Sequence, residues 1–442
     1  MLNSIKKGGL FRILLIGLLI IVAFLVSSVL GQIGTFLVFD ILLTFYLISF
    51  FKHKWKYLFL LHPLIIYLTS LGFEIRYEDI GVGYTYLNSY SFFIDLSNYT
   101  SNSAELSESI FNIKNGLFGF KNSYIGVLPF FLVPNLLFEN KLDGLTLYFS
   151  ISNWTLICAI IATYFSKKIK SISEKTLLVA MLIIVISPTF IEINSSIHRY
   201  HLLVLGLFLF YISWNAIRLK RNNTKLYSYL ALVISILLIG ISKAAIFFSL
   251  ILFVFIDYTI NRNLNILRNS NRSIIYLLLI VIVALIQIFG SVILPENYTV
   301  KDFNTGATNI FTQLPIIGFF VRIIYASLSP FPWITFNQWQ SYGYNEMFLI
   351  IHFLSAILVL WLVLSLFLHL KPILFLKYEH RSSIIMGLCI IFSLSFSAVG
   401  HHVYIAPAVP FLSVLFLNRA LLTKISYPIF AIIFGEIVMF FI

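Results

Sequence analysis

Charged side chains are scarce in this sequence. Asp, Glu, Lys and Arg together make up 11% of its 442 residues, whereas 60% of the residues are hydrophobic and 17% are aromatic. Soluble domains carry about 25% charged residues. The composition therefore excludes a soluble fold and predicts an all-α, polytopic integral membrane protein in which residues 1–442 form a single transmembrane domain.

Cysteine is almost absent as well. The only two cysteines, Cys158 and Cys389, both lie within apolar runs. Two isolated cysteines provide neither a disulfide framework nor a cysteine-based metal site. We expect both to be core residues, and we predict no bound metal and no cofactor.

Apolar runs of spanning length predict about 13 transmembrane helices. Three basic residues precede the first run, which has no convincing small-residue cleavage site, so we interpret it as an uncleaved span. The segment 124–138 is short and contains Pro129 and Pro134, which indicates an interfacial or re-entrant segment. The predicted spans are 10–30, 33–51, 57–73, 145–165, 176–193, 201–217, 227–241, 244–258, 273–294, 347–368, 382–399, 403–418 and 425–442.

The distribution of Lys and Arg predicts the topology, because cytoplasmic loops collect basic residues. With a cytoplasmic amino terminus, the inner loops and that terminus hold 22 of the 30 basic residues. We therefore interpret the net charge of +13 as a consequence of topology, and no soluble domain is left to bind nucleic acid. The predicted inner loops are 52–56, 167–175, 218–225, 262–272, 371–381 and 419–424.

The outer face then receives two larger external loops, 74–123 and 295–346, and three short ones. Three basic residues outside the inner loops lie near outer helix ends, together with two histidine pairs. Guanidinium and ammonium groups suit the oxygens of a lipid diphosphate, so we predict that these groups line one cavity. The predicted diphosphate ligands are Arg199, Lys243 and Arg322, and the accompanying histidines are His198, His201, His401 and His402.

Acidic residues provide candidate bases. Glu78 and Asp79 follow the third predicted span, and a carboxylate there is able to take a proton from a hydroxyl group. Asp40 and Glu436 lie inside spans, where we expect hydrogen bonds between helices, and no basic residue at similar depth is evident in the sequence to pair with either.

Three stretches carry a resemblance to a family. They are Ser-Ser-Ile-His-Arg-Tyr-His-Leu-Leu at 195–203, Leu-Ser-Pro-Phe-Pro-Trp at 328–333 and His-His-Val-Tyr-Ile-Ala-Pro-Ala-Val-Pro-Phe-Leu at 401–412. Together with the basic inner loops and the late external loop, the chain resembles bacterial O-antigen and exopolysaccharide repeat-unit polymerases of the Wzy type. Members often carry two arginine-rich external loops, whereas here 295–346 holds only Lys301 and Arg322 as cations.

The resemblance implies an inner-membrane enzyme that joins undecaprenyl-diphosphate-linked oligosaccharides on its periplasmic face, in some cases with a chain-length regulator as partner. It implies that Arg199 and Arg322 hold the diphosphate with help from Lys243, and that a histidine takes the acceptor proton or polarises the leaving phosphate. Two alternatives stay open. A multi-span glycosyltransferase using a polyprenyl-phosphate sugar would employ Glu78 and Asp79, and a lipid-oligosaccharide flippase would need cations at mid-depth in the bilayer.

Overall fold

The computed structural model describes residues 31, 33–78, 144–194, 200–219, 225–243, 246–269, 346–394 and 405–441. For 71–78, 144–147, 243, 346–349, 393–394 and 434–441 this covers the backbone alone. The predicted spans 10–30 and 273–294, the segment 124–138 and most of both external loops lie outside these ranges.

The regular elements of the described residues are all helical, as lipid requires of backbone that must satisfy its own hydrogen bonds. After α1 (Ile33–Ser49), a 3-10 segment (Lys54–Leu60) leads into α2 (Leu61–Glu78). The elements that follow are α3 (Gly144–Ile169), α4 (Glu174–Ile186), α5 (Pro188–Asn194), α6 (Tyr200–Arg218), α7 (Lys225–Lys243), α8 (Phe247–Arg262), α9 (Leu264–Asn269), α10 (Glu346–Leu368), α11 (Leu370–Ile373), α12 (Tyr378–Leu394), α13 (Val409–Leu412) and α14 (Ser426–Phe441).

Four described helices, α3, α6, α7 and α10, are long and apolar enough to cross a membrane, and the number rises to six if each of two bent pairs counts as one span. This confirms an all-helical membrane-type fold for the described residues. The full number of about 13 spans stays a prediction, because several of the predicted spans are not described.

The predicted span 176–193 is not one straight helix. Helices α4 and α5 meet at a 46° bend, where Ser187 adopts an extended backbone with ψ of 148°. The following residue is Pro188, and a residue before proline is driven out of the helical region by its ring. The second bent pair, Ala406–Leu417 with Arg419–Ile433, turns by 117° at residue 418, where the predicted span 403–418 ends and the predicted inner loop 419–424 begins.

Helix α6 is the centre of the described bundle. Of its spanning window 83% is buried, whereas only 28% is buried in the neighbouring α7. The two helices approach closely at Gly206, where an added Cβ would lie 2.9 Å from Ile239 Cγ1 and 3.2 Å from the Ser235 backbone oxygen. Small residues at a helix interface allow this kind of approach in membranes, so α7 covers α6 and turns its other side outward.

The described parts of the six predicted inner loops lie at one end of the bundle, which we call the basic end. Hydrogen bonds and one ion pair connect residues in these loops or close to them. These contacts are Lys52 N to Glu174 Oε1 (2.6 Å), Ser173 N to Glu379 Oε1 (2.8 Å), Arg218 Nε with Asp257 Oδ2 (3.9 Å), Arg268 Nε to Leu374 O (3.1 Å), Arg381 Nη2 to Asn261 Oδ1 (2.5 Å) and Asn418 Nδ2 with His380 Nδ1 (3.1 Å).

Candidate functional site

Most of the predicted site residues lie outside the described part of the chain. Glu78 and Lys243 are the last residues of α2 and α7, and their backbone alone is described. His201, in the first turn of α6, is described in full. Those outside the described residues are Asp79, His198, Arg199, Arg322, His401 and His402.

The described helix ends that carry Glu78 and Lys243 or flank residues 195–199 lie away from the basic end. Helices α2 and α7 start beside basic loops and end at Glu78 and Lys243, respectively. Helix α3 has 26 residues and carries Lys167 in its last turn, at the basic end. Its length is about 39 Å at 1.5 Å per residue. The end of α5 and the start of α6, which flank residues 195–199, therefore belong to the half of the bundle opposite the basic end.

His201 is buried, with 2% of its surface exposed. Its Nδ1 lies 3.2 Å from Thr155 Oγ1 on α3, and the same hydroxyl donates to Asn194 Oδ1 at 2.9 Å. Thr155 therefore ties the last residue of α5 and the first turn of α6 to α3. The connection that contains His198 and Arg199 is anchored at both ends by this one side chain.

The cavity beside His201 is small. Its volume of about 10 Å³ is bordered otherwise by apolar groups such as Cys158, Phe190 and Phe208. A single water needs roughly 10–15 Å³, so this space does not admit a sugar or a phosphate. A role for His201 as a base in contact with substrate stays a prediction, and it requires a wider opening than the one seen here.

Asp40 is paired, which corrects the expectation that no basic residue matches it in depth. It is completely buried on α1, and its Oδ2 lies 3.4 Å from Nε2 of His62 on α2. Ser152 of α3 lies between them, 2.6 Å from Asp40 Oδ2 and 3.0 Å from His62 Nε2. The Nδ1 of His62 is 2.7 Å from the carbonyl oxygen of Val185 on α4. This cluster joins four helices.

A second buried acid–histidine pair links α5 and α10. Glu192 Oε1 lies 2.6 Å from His352 Nδ1, and both side chains are almost fully buried. One turn away on α10, Ser355 donates to Thr189 Oγ1 of α5 at 3.1 Å. Sequence reasoning missed His62, Glu192 and His352 as a group. The available signal was one acid or histidine in each of the predicted spans 57–73, 176–193 and 347–368. Only the packing of the helices shows which of these residues meet.

Asp257 organises a third polar cluster, at the basic end. Its Oδ2 accepts hydrogen bonds from Trp214 Nε1 at 3.0 Å and from the Tyr378 hydroxyl at 3.2 Å, and it lies 3.9 Å from Arg218 Nε. Asn261 donates to its Oδ1 at 3.1 Å. Burial and then the charge of Asp257 raise the pKa of Tyr378 to about 12. The phenol therefore remains a donor at neutral pH.

Among the described residues, no three His, Cys, Asp or Glu side chains are grouped as a protein metal site would need. Comparison of the chain with protein-family models, with curated proteins and with solved structures finds no match. The site is therefore interpreted from its own residues.

Proposed function

We propose that the chain is an inner-membrane polysaccharide polymerase that joins undecaprenyl-diphosphate-linked oligosaccharide repeat units. The observation that carries the proposal is the polarity of the bundle. The described parts of six basic loops gather at one end, and the helix ends that carry Glu78 and Lys243 or flank residues 195–199 belong to the other. Since basic loops favour the cytoplasm, the amino terminus is then cytoplasmic and the site faces the periplasm.

In this proposal Arg199, Arg322 and Lys243 bind the diphosphate of the donor lipid. A sugar hydroxyl of the acceptor unit forms the new bond to the anomeric carbon of the donor, whose bond to the phosphate oxygen breaks. Negative charge then grows on the departing diphosphate, and fixed cations stabilise that charge most in the transition state. The hydroxyl proton passes to a histidine (His198, His201, His401 or His402) or to the carboxylate of Glu78 or Asp79.

The test is deletion of the gene followed by electrophoresis of the surface polysaccharide. A polymerase deletion removes the ladder and retains product with one repeat unit. In complemented cells, Arg199→Ala and Arg322→Ala should each give the same single-unit product. Lys301→Ala is the matched control, because Lys301 is a cation of the same external loop as Arg322 but is not a predicted ligand. Polymer of normal length from both arginine variants would overturn the proposal.

A lipid-oligosaccharide flippase is the second candidate, and the two buried acid–histidine pairs favour it. His62 and His352 bring groups that can carry positive charge into the interior of the helices, where such residues often mark a transport pathway. A flippase deletion would remove all surface product, including the single unit. The same electrophoresis therefore separates the two functions.

A further inference from the structure

The three side chains of the Asp40 cluster are buried and form a continuous hydrogen-bonded connection. Asp40, Ser152 and His62 each have 0% exposed surface. The distances along the connection are 2.6 Å from Asp40 Oδ2 to Ser152 Oγ and 3.0 Å from Ser152 Oγ to His62 Nε2. Both lie within the range of ordinary hydrogen bonds, so each contact needs one proton between its two atoms.

The contact of the other His62 nitrogen, Nδ1, determines which nitrogen of the ring is protonated. Nδ1 lies 2.7 Å from the Val185 carbonyl oxygen, and a carbonyl oxygen only accepts hydrogen bonds. Nδ1 must therefore carry a proton. Consequently Nε2 is the nitrogen that gains or loses a proton, and it is the one that faces Ser152.

Two proton arrangements satisfy these contacts equally. In one, the Asp40 carboxylic acid donates to Ser152, and the Ser152 hydroxyl donates to a neutral His62. In the other, the imidazolium Nε2–H donates to Ser152, and Ser152 donates to the Asp40 carboxylate. The first arrangement changes into the second by two proton transfers. The Asp40 Oδ2–H bond breaks as a new Ser152 Oγ–H bond forms, and the original Oγ–H bond breaks as the His62 Nε2–H bond forms. No atom has to move far, and the net charge of the cluster is zero in both arrangements.

We propose that Asp40, Ser152 and His62 form a proton-transfer site, in which the serine hydroxyl passes one proton between the carboxyl group and the imidazole. Zero net charge suits a buried position, because an uncompensated charge in the membrane interior is costly. The transfer moves one proton along Oδ2, Oγ and Nε2, and it neither adds a proton to the site nor removes one. Asp40 Oδ1 has no hydrogen-bond partner among the described residues.

Few other titratable groups of the described helices face this region. On the elements that pack around it, Glu192 and His352 contact each other. His201 contacts Thr155, and Tyr148 shares a hydrogen bond with Thr69. Each of these groups contacts another partner, so we assign the position of the proton to Asp40, Ser152 and His62. This inference holds for a polymerase and for a flippase alike, and it does not depend on the proposed function.

The experiment is ¹⁵N NMR of the full chain, labelled at the histidine ring nitrogens and held in lipid nanodiscs. His62 is assigned from the signals that disappear in His62→Gln. In the wild type we expect a protonated Nδ1 and an Nε2 signal between the protonated and the bare positions, since the proton is shared. Ser152→Ala should move Nε2 to one of those two positions, and Asp40→Asn should move it to the bare position, with Nδ1 unchanged in both variants.

Glu192→Gln is the matched control, because it removes a buried acid from the other histidine pair. It should move the signals of His352 and leave those of His62 in place. A bare Nδ1 on His62, or an Nε2 signal at one limiting position in the wild type, would overturn the proposal. Once His62 is assigned, the wild-type spectrum decides this even if Ser152→Ala or Asp40→Asn does not fold. An Nε2 signal that Glu192→Gln displaces as far as Asp40→Asn does would also contradict it.

Discussion

Two buried aspartates of this protein, Asp257 and Asp40, have different partners for their carboxyl groups. Asp257 lies at the basic end, where it faces Arg218 and accepts from Trp214 and Tyr378. Asp40 lies in the interior, where it faces His62 through Ser152. Both are completely buried. An arginine keeps its charge at every physiological pH, whereas a histidine can be neutral.

This difference indicates where the bundle accommodates a side chain that is always charged. At the basic end, the Arg218 side chain keeps 27% of its surface exposed, so water shares the cost of its charge. In the interior, the charge of Asp40 and its partner can be removed by one proton transfer. We infer that the cluster at the basic end is a fixed structural connection between α6, α8 and α12. In the interior cluster, the charges of the acid and the histidine can form or disappear together while the net charge stays zero.

The largest expected effect comes from replacing Asp257 with asparagine, and Asp40→Asn is the comparison. Asp257→Asn removes an acceptor from a group that holds three donors and leaves Arg218 without its anion, so we expect a loss of about 3 kcal/mol in the free energy of unfolding. Asp40→Asn leaves a set of contacts that a neutral His62 can satisfy, and it should cost less than about 1 kcal/mol. Unfolding by denaturing detergent in mixed micelles measures both. Equal losses would contradict the contrast between the two clusters.

A packing change that spares both clusters should have an intermediate effect. Gly206→Ala places a methyl group 2.9 Å from Ile239 Cγ1 and 3.2 Å from a backbone oxygen, so α6 and α7 must separate. We expect this to lower stability by about 2 kcal/mol. Gly240→Ala on α7 is the matched control, because the nearest atom to its added Cβ is 3.8 Å away, and it should change stability by less than about 0.5 kcal/mol. The same unfolding assay applies, and similar values for both variants would show that this helix contact is looser than described.

The smallest effect concerns the pH dependence of the basic end. The pKa of Tyr378 is raised from 10.0 to about 12 in the folded protein. The folded state therefore binds more protons than the unfolded state above pH 10, so the contribution of Tyr378 is complete below pH 10 and is lost as the pH rises towards 12. Tyr378→Phe should cost about 1 kcal/mol at neutral pH through the lost hydrogen bond. It should also flatten the decline in stability between pH 10 and 12. If the decline is unchanged in Tyr378→Phe, other tyrosines cause the loss of stability between pH 10 and 12.

Much of the helical framework could be predicted from the sequence, because the length of an apolar run directly reflects the thickness of a bilayer. The predicted spans 201–217 and 347–368 correspond closely to α6 (Tyr200–Arg218) and α10 (Glu346–Leu368). The expectation of one uninterrupted helix was wrong where a local break interrupts an apolar run. Pro188 and Glu192 were visible within 176–193, but the mean hydropathy of the whole run stays high, so hydropathy alone does not reveal the bend.

The interior polar clusters could not be predicted, since they depend on which helices are neighbours. Asp40 is 22 residues before His62 and 112 before Ser152; nothing in those separations indicates that the three side chains meet. The cations Arg199 and Arg322, by contrast, were selected because topology alone assigns them to one face. Their convergence on one diphosphate stays a prediction.

The bend between α4 and α5 also determines which nitrogen of the His62 ring, on α2, is protonated. In an uninterrupted helix, the Val185 carbonyl would accept from the backbone N–H of Thr189. Because Pro188 and the extended Ser187 end α4, that oxygen is available to His62. A proline with no titratable group thus selects which nitrogen of a histidine keeps its proton, and with it the nitrogen that faces Ser152.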